Sequence, residues 1–224
     1  MDAVLALENG AVFRGKAAGA AGEAAGEVVF NTAMTGYQEV LTDPSYSGQI
    51  VTMTCPEIGN YGVTAEDVES RGIQVAGFVV RAESPIASNW RAEGTLREYL
   101  TRNGIVAIAD IDTRALTRLL RSAGVMRGVV ATGRPNPDDL VDKARGLRQM
   151  EGTDLVRDVT CREPFDFRSP ETGDFTVETA RRAGRPRRIA AYDYGEASQS
   201  RGCQDSRFGF HGDTIKLDMV CAWL

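Results

Sequence analysis

Residues 26–62, GEVVFNTAMTGYQEVLTDPSYSGQIVTMTCPEIGNYG, constrain the fold most, because two β-forming runs flank a segment too short for a long helix. Val28, Val29 and Phe30 form the first run, and Ile50, Val51, Thr52 and Thr54 stand in the second. Between them, Tyr37 to Leu41 has room for one or two helical turns. Asp43-Pro44 then imposes an extended or turn conformation and ends any helix. The pattern predicts two strands joined by a compact loop set with Thr, Asn, Gln, Ser and Tyr beside Gly36 and Gly48. Such a loop either satisfies its own backbone or grips a small polar ligand.

The rest of the chain alternates strands with short helices, an α/β pattern. Residues 3–7 and 11–14 read as a hairpin around Glu8-Asn9-Gly10, since Asn-Gly reaches positive φ at least cost. Residues 16–26, rich in Gly and Ala, are expected to loop. Gly19, Gly22 and Gly26 make no phosphate-binding loop, because no strand–loop–helix order and no Lys-Ser/Thr follow them. Thr64 caps a turn with Asp67 three residues on. Residues 73–80, IQVAGFVV, and 105–111, IVAIADI, read as strands covered on both faces. Thr95 opens a helix carrying Leu96, Tyr99 and Leu100 at helical spacing.

Asp112 or Thr113 caps the next helix, whose apolar stripe is Leu116, Leu119 and Leu120, and Gly124 suits its C-terminal end. Arg114, Arg118 and Arg121 recur on one face of it. That face is either solvated or meets an acidic patch on a partner. Residues 125–132 form a strand, and Asn136 starts a helix running through Ala144 to Leu147. Periodicity is then lost over 151–188, and five arginines crowd into RRAGRPRR (181–188), a linker composition. A strand at Ile189–Tyr192 opens a second region, which gives domains at 1–150 and 189–224.

Composition excludes several classes of function. Hydrophobic residues make up 42% and charged residues 25%, as in ordinary soluble domains. A net charge of -5 with no long basic face argues against nucleic acid. No apolar run approaches the ~20 residues that span a bilayer, so no membrane partner is expected. MDAVLALENG lacks a basic n-region, and Cys55, Cys161, Cys203 and Cys221 are scattered, so a cytoplasmic protein with reduced thiols is expected.

FNTAMTGYQEVLTDPSYSGQIVTMTCPEIGNYG closely resembles the signature region of the small subunit of glutamine-hydrolysing carbamoyl-phosphate synthase. The resemblance continues through SRGIQVAGFVVRAESPIASNWR, GIVAIADIDTRALTRLLRSAGVMRGVV, EGTDLVRDVT and IAAYDYG, covering most of the chain up to Gly195. It implies a swivelling β/β/α-type N-terminal domain followed by the start of a class I glutamine amidotransferase domain. It also implies a large subunit as partner, glutamine as substrate and a place in arginine and pyrimidine biosynthesis. In the family, ammonia freed from glutamine through a thioester passes by a tunnel to the large subunit. That subunit uses bicarbonate and two ATP with Mg to make carbamoyl phosphate, and no cofactor is expected in this chain. By resemblance, Ser45 in DPSYS reaches across to the substrate glutamine, and a hydroxyl that both donates and accepts suits that role.

After Gly195 the sequence departs from the family. EASQSRGCQDSRFGFHGDTIKLDMVCAWL stands where a helix, a Gly-rich oxyanion segment and a nucleophilic Cys elbow would follow. The tail is therefore expected to be a truncated or frameshifted product, or a strongly diverged end. His211, Cys203 and Cys221 sit in no Gly-x-Cys-x-Gly context, so no catalytic residue and no metal ligand is assigned. The chain thus reads as a large-subunit-docking part without its own glutaminase. The alternative is a non-enzymatic binding or assembly module that keeps only the N-terminal domain.

Overall fold

In the computed structural model, which describes residues 1–160 and the strands at 165–167, 187–192 and 215–220, seven strands of the first unit close into a barrel. Two compact units divide the chain, Met1–Thr153 and Asp154–Leu224. The first begins with β1 (Asp2–Leu7), β2 (Val12–Ala17), β3 (Glu23–Asn31), α1 (Tyr37–Thr42), β4 (Ile50–Met53) and β5 (Glu57–Ile58). It continues through β6 (Gly77–Val79), β7 (Ala82–Glu83), α2 (Leu96–Arg102), β8 (Val106–Ala109), α3 (Thr113–Ala123), β9 (Met126–Thr132) and α4 (Pro137–Gly146). The second contains α5 (Val156–Val159), β10 (Phe165–Phe167), β11 (Arg187–Tyr192) and β12 (Ile215–Val220).

Around the barrel the strand order is β1-β2-β8-β6-β4-β3-β9, and β9 returns to pair with β1. β3, β4, β6 and β8 run parallel to their neighbours in that order, as strands linked by crossovers do. β1, β2 and β9 complete the barrel with antiparallel pairs. The two-residue strands β5 and β7 pair separately. The Asn9-Gly10 hairpin forms as expected, with Gly10 at φ 91°.

Side-chain alternation sorts the core into three layers. Leu5 and Leu7 of β1, Val28, Ile50, Val79, Ile108 and Val130 face the barrel interior, joined there by Leu116 and Leu120 of α3. Phe78, Val51, Met53, Ala107 and Ala109 face the other way, beneath Tyr37 and Leu41 of α1 and Leu96 and Leu100 of α2. Val4, Ala6, Val129 and Ala131 pack under Leu140, Val141 and Ala144 of α4. Apolar runs such as VAIA are continuous because their strands are covered on both sides.

The helices start where their caps predict. Thr95 and Glu98 form a reciprocal capping box on α2, Asp112 accepts from the Ala115 amide of α3, and Asn136 with Pro137 opens α4. Thr64 accepts from Glu66 and opens a 3-10 turn.

Three expectations are corrected. Residues 23–26 are strand rather than loop, since β3 starts at Glu23 and pairs with β9 from Glu23↔Ala131 onward. Gly26 is needed there because a Cβ would stand 2.3 Å from the Gly48 carbonyl oxygen. The strand expected over 73–80 is only Gly77–Val79, because the backbone before it is spent elsewhere. The Gln74 carbonyl accepts from Gly48 and its amide donates to Leu41, tying α1 and its turn rather than extending the sheet. The stretch expected as linker carries α5 and β10, and the tail holds β12, for which no strand was expected. In the second unit β12 lies between β10, antiparallel, and β11, parallel.

Candidate functional site

The loop from β3 to β4 is built outward from buried anchors. Gly36, at φ 79°, turns the chain into α1. Its amide and that of Tyr37 both donate to the Tyr61 hydroxyl, at 2.6 and 3.2 Å. Tyr37 in turn donates to the Gly62 carbonyl at 2.5 Å, and the two rings stack with centroids 4.2 Å apart. Burial pushes both phenols up, the Tyr37 hydroxyl beyond any physiological range, so both stay neutral, Tyr37 as donor and Tyr61 as acceptor of two amides.

At the next residue, the Gln38 side-chain amide is engaged at both ends. Its Nε2 donates to the Thr64 carbonyl at 2.7 Å, and its Oε1 accepts from the Thr64 amide at 2.9 Å. The Thr42 hydroxyl donates to the Gln38 carbonyl and accepts from the Glu69 amide at 2.9 Å, while Ser70 donates to the Thr42 carbonyl. α1 is six residues long and could not persist alone. These side-chain bonds to residues 61–70 hold it in place.

Ser45 lies on the far side of this anchored helix, in a 3-10 turn over Pro44–Tyr46. Pro44 is buried, and the Asp43 side chain accepts from the Ser45 amide at 2.8 Å. Tyr46 is held by Asn31, whose Nδ2 donates to its hydroxyl at 3.0 Å. The amides of Tyr46 and Ser47 are satisfied by Asp43 and Pro44. Every neighbour of Ser45 is therefore fixed, while its own side chain is exposed and its hydroxyl has no partner among the described residues. Such a hydroxyl is presented on rigid backbone with both a proton and lone pairs free.

Gln38, Thr42, Tyr37 and Tyr61 satisfy backbone groups, the first of the two uses that the loop's composition allows. Tyr61 and Gln38 are the positioning residues that sequence reasoning passed over. The only signal for them was a polar residue inside an otherwise apolar helix face.

Arg114, Arg118 and Arg121 are exposed along α3, and none is in an ion pair among the described residues. No hydrogen bond of Ser45 reaches them. Cys55 is half-buried with its thiol donating to the Glu57 carbonyl at 3.5 Å. Cys161, Cys203, Cys221 and His211 lie outside the described residues. Among the described residues no cluster of His, Cys, Asp or Glu could hold a metal, and no helix is long and apolar enough to cross a membrane.

Comparison with known proteins bears on the same region. A model of the family described as carbamoyl-phosphate synthase small chain, CPSase domain, matches residues 5–130. Among curated relatives, the carbamoyl phosphate synthase small chain of Syntrophotalea carbinolica is 51% identical over 196 residues, 87% of this chain and 52% of that protein. The small chain of Rhodopirellula baltica is 51% identical over 183 residues, 82% and 47% of the respective lengths. That of Solidesulfovibrio magneticus is 54% identical over 167 residues, 75% and 44%. The chain spans about half the length of the curated relatives it matches.

Proposed function

This chain belongs to the carbamoyl-phosphate synthase small-chain family, and from that premise we propose that its barrel unit docks the small chain onto the large subunit of the synthase. In that complex glutamine is hydrolysed and its ammonia is passed on for ATP-dependent synthesis of carbamoyl phosphate. The same reading takes the barrel as the family's swivelling domain and β11 as the first strand of a class I glutamine amidotransferase domain. Ser45 is assigned to the substrate glutamine. The observation that carries this is its exposed hydroxyl, without a partner among the described residues, on a turn whose Ser45, Tyr46 and Ser47 amides are all satisfied.

Glutaminase chemistry needs an activated thiolate, a base and preorganised oxyanion donors together, and loss of one costs several orders of magnitude in rate. No Gly-x-Cys-x-Gly elbow occurs in the 224 residues, so this polypeptide is assigned docking without amide hydrolysis. The basic face of α3, Arg114, Arg118 and Arg121, is assigned to an acidic surface of the large subunit.

The test is reconstitution with the large subunit. The polypeptide should co-purify with it, and the complex should form carbamoyl phosphate from ammonium but not from glutamine. Replacing the three arginines by Gln should weaken retention and flatten its dependence on salt. A folded chain that is not retained would remove the docking reading. Glutamine-dependent turnover lost in Cys203→Ser or Cys221→Ser would overturn the assignment of no hydrolysis.

A further inference from the structure

A cleft whose lining does not include Ser45 lies where the start of β1, the end of β2 and the exits of β8 and β9 meet. It has a volume of about 630 Å³ and is lined by Asp2, Arg14, Lys16, Asp110 and Arg134, with Gly15, Gly133 and Pro135 forming its floor and rim. That volume is within the ~300–1,000 Å³ of small-molecule sites.

Its charges are only partly matched among themselves. Lys16 pairs with Asp2 at 2.7 Å, and Arg134 approaches the other Asp2 oxygen at 3.9 Å. Arg14 has no ion pair, and Asp110 pairs with none of these cations, although its carboxylate acts on Lys16 through space. One cation and one carboxylate are thus left over on a lining with three positive and two negative side chains.

The backbone singles out Asp110. It is the one non-glycine described residue with positive φ, at 62°. With Lys16 paired to Ala109, Asp110 follows at the register of Gly15, whose missing side chain would enter the interior against Ile108 and Ile111. Continued extension would turn the Asp110 carboxylate into that apolar layer. The left-handed turn instead leaves it exposed beside Arg14 and Lys16. Aspartate tolerates this conformation at a cost that glycine does not bear, and such residues concentrate where ligands are held.

We propose that this cleft binds a small α-amino dicarboxylate, with Arg14 and the Lys16/Arg134 pair receiving the two carboxylates and Asp110 the ammonium. The excess of one positive charge in the lining matches a ligand of net charge -1, and the spare carboxylate calls for a cationic donor that a plain anion lacks. This site does not include the glutamine-facing Ser45, and its test does not depend on synthase activity.

The experiment follows backbone amide shifts of the 224-residue chain during titration with L-glutamate, with glutarate as the same dicarboxylate lacking the ammonium. Shifts should map to residues 2–4, 14–16, 110–111 and 133–134, with a dissociation constant on the order of 1 mM at low salt. Glutarate should bind about 10-fold more weakly for want of one charge-assisted hydrogen bond. Arg14→Gln should weaken glutamate about 10-fold. Asp110→Gly should weaken it similarly while raising the thermal midpoint, because glycine accepts φ 62° without strain. An absence of shifts in the wild-type chain at about 10 mM glutamate would overturn the proposal. So would equal binding of glutarate and glutamate, or undiminished binding in a folded Asp110→Gly variant.

Discussion

Replacing Gln38 by Met keeps the length and volume of a side chain that is 1% exposed and removes only its amide. Its two hydrogen bonds to Thr64 are lost, at 2.7 and 2.9 Å, together with its hydrogen bond to the Tyr99 hydroxyl, and the Thr64 amide and carbonyl are left without the partner they have in the wild type. Thr64 is itself buried, so water does not simply replace that partner. Each net hydrogen bond contributes about 1 kcal/mol, and each group stranded without one adds a penalty of about 1–3 kcal/mol, so partial relaxation gives a loss of about 2–5 kcal/mol. Against the ~5–15 kcal/mol that holds a typical domain together, this is a large fraction. Urea unfolding followed by far-ultraviolet circular dichroism should show a lower midpoint at unchanged slope. Hydrogen exchange at the Thr64 amide should accelerate most of all. A loss below about 0.5 kcal/mol, with Thr64 exchanging as in the wild type, would refute the assignment of Gln38 as the clamp between α1 and the 61–70 segment.

Ser45→Ala should change stability by no more than about 0.5 kcal/mol, since the hydroxyl has no partner among the described residues; a larger loss in urea titration would mean that it holds the turn itself. Two carboxylates should make opposite contributions across pH. Hydrogen bonding from Arg127 holds Glu8 below its ordinary 4.5, so its stabilisation is full above that pH and is lost as pH falls through the lowered value. Glu8→Gln should therefore destabilise at pH 7 and converge on wild type in acid. Burial, reinforced by Asp67 and Glu69, pushes Glu39 above 4.5, so its favourable contribution exists below that pH and is lost as pH rises through the raised value. Glu39→Gln should be the more stable protein at pH 7 and equal to wild type in acid. Urea titrations across pH that run parallel to wild type would contradict either expectation.

Local chemistry was the legible part of this fold. The Asn9-Gly10 turn, the caps at Thr95, Asp112 and Asn136, and the break at Asp43-Pro44 depend on a few neighbouring residues, so the sequence carries them openly. What escaped was set by distant partners. Residues 23–26 have the composition of a loop, and only the close approach of Gly48 and the pairing with β9 make them a strand. Gln74 reads as part of a strand, yet its backbone bonds go to Leu41 and Gly48. β12 did leave a signal, the alternation of Ile215, Leu217 and Met219, which was hidden by the departure of the surrounding residues from the family pattern. At the candidate site the turn around Ser45 was legible, because Asp-Pro-Ser-Tyr-Ser fixes it locally. Its dependence on Tyr61 and Gln38 was not, because those contacts span 24–26 residues.

Because β9 is the stave between β1 and β3, the barrel cannot close until residue 132 has been made. Asn31 and Met126 are separated by roughly 5–20 s of synthesis at ~5–20 residues per second. Throughout that interval β1 and β3 each offer an unpaired edge, the kind of template on which chains join one another. Pairings such as Ala3↔Thr132 also make this a slow topology to complete. A nascent chain of this protein is therefore exposed to aggregation throughout that interval, and the exposure should end once β9 has emerged from the ribosome and paired.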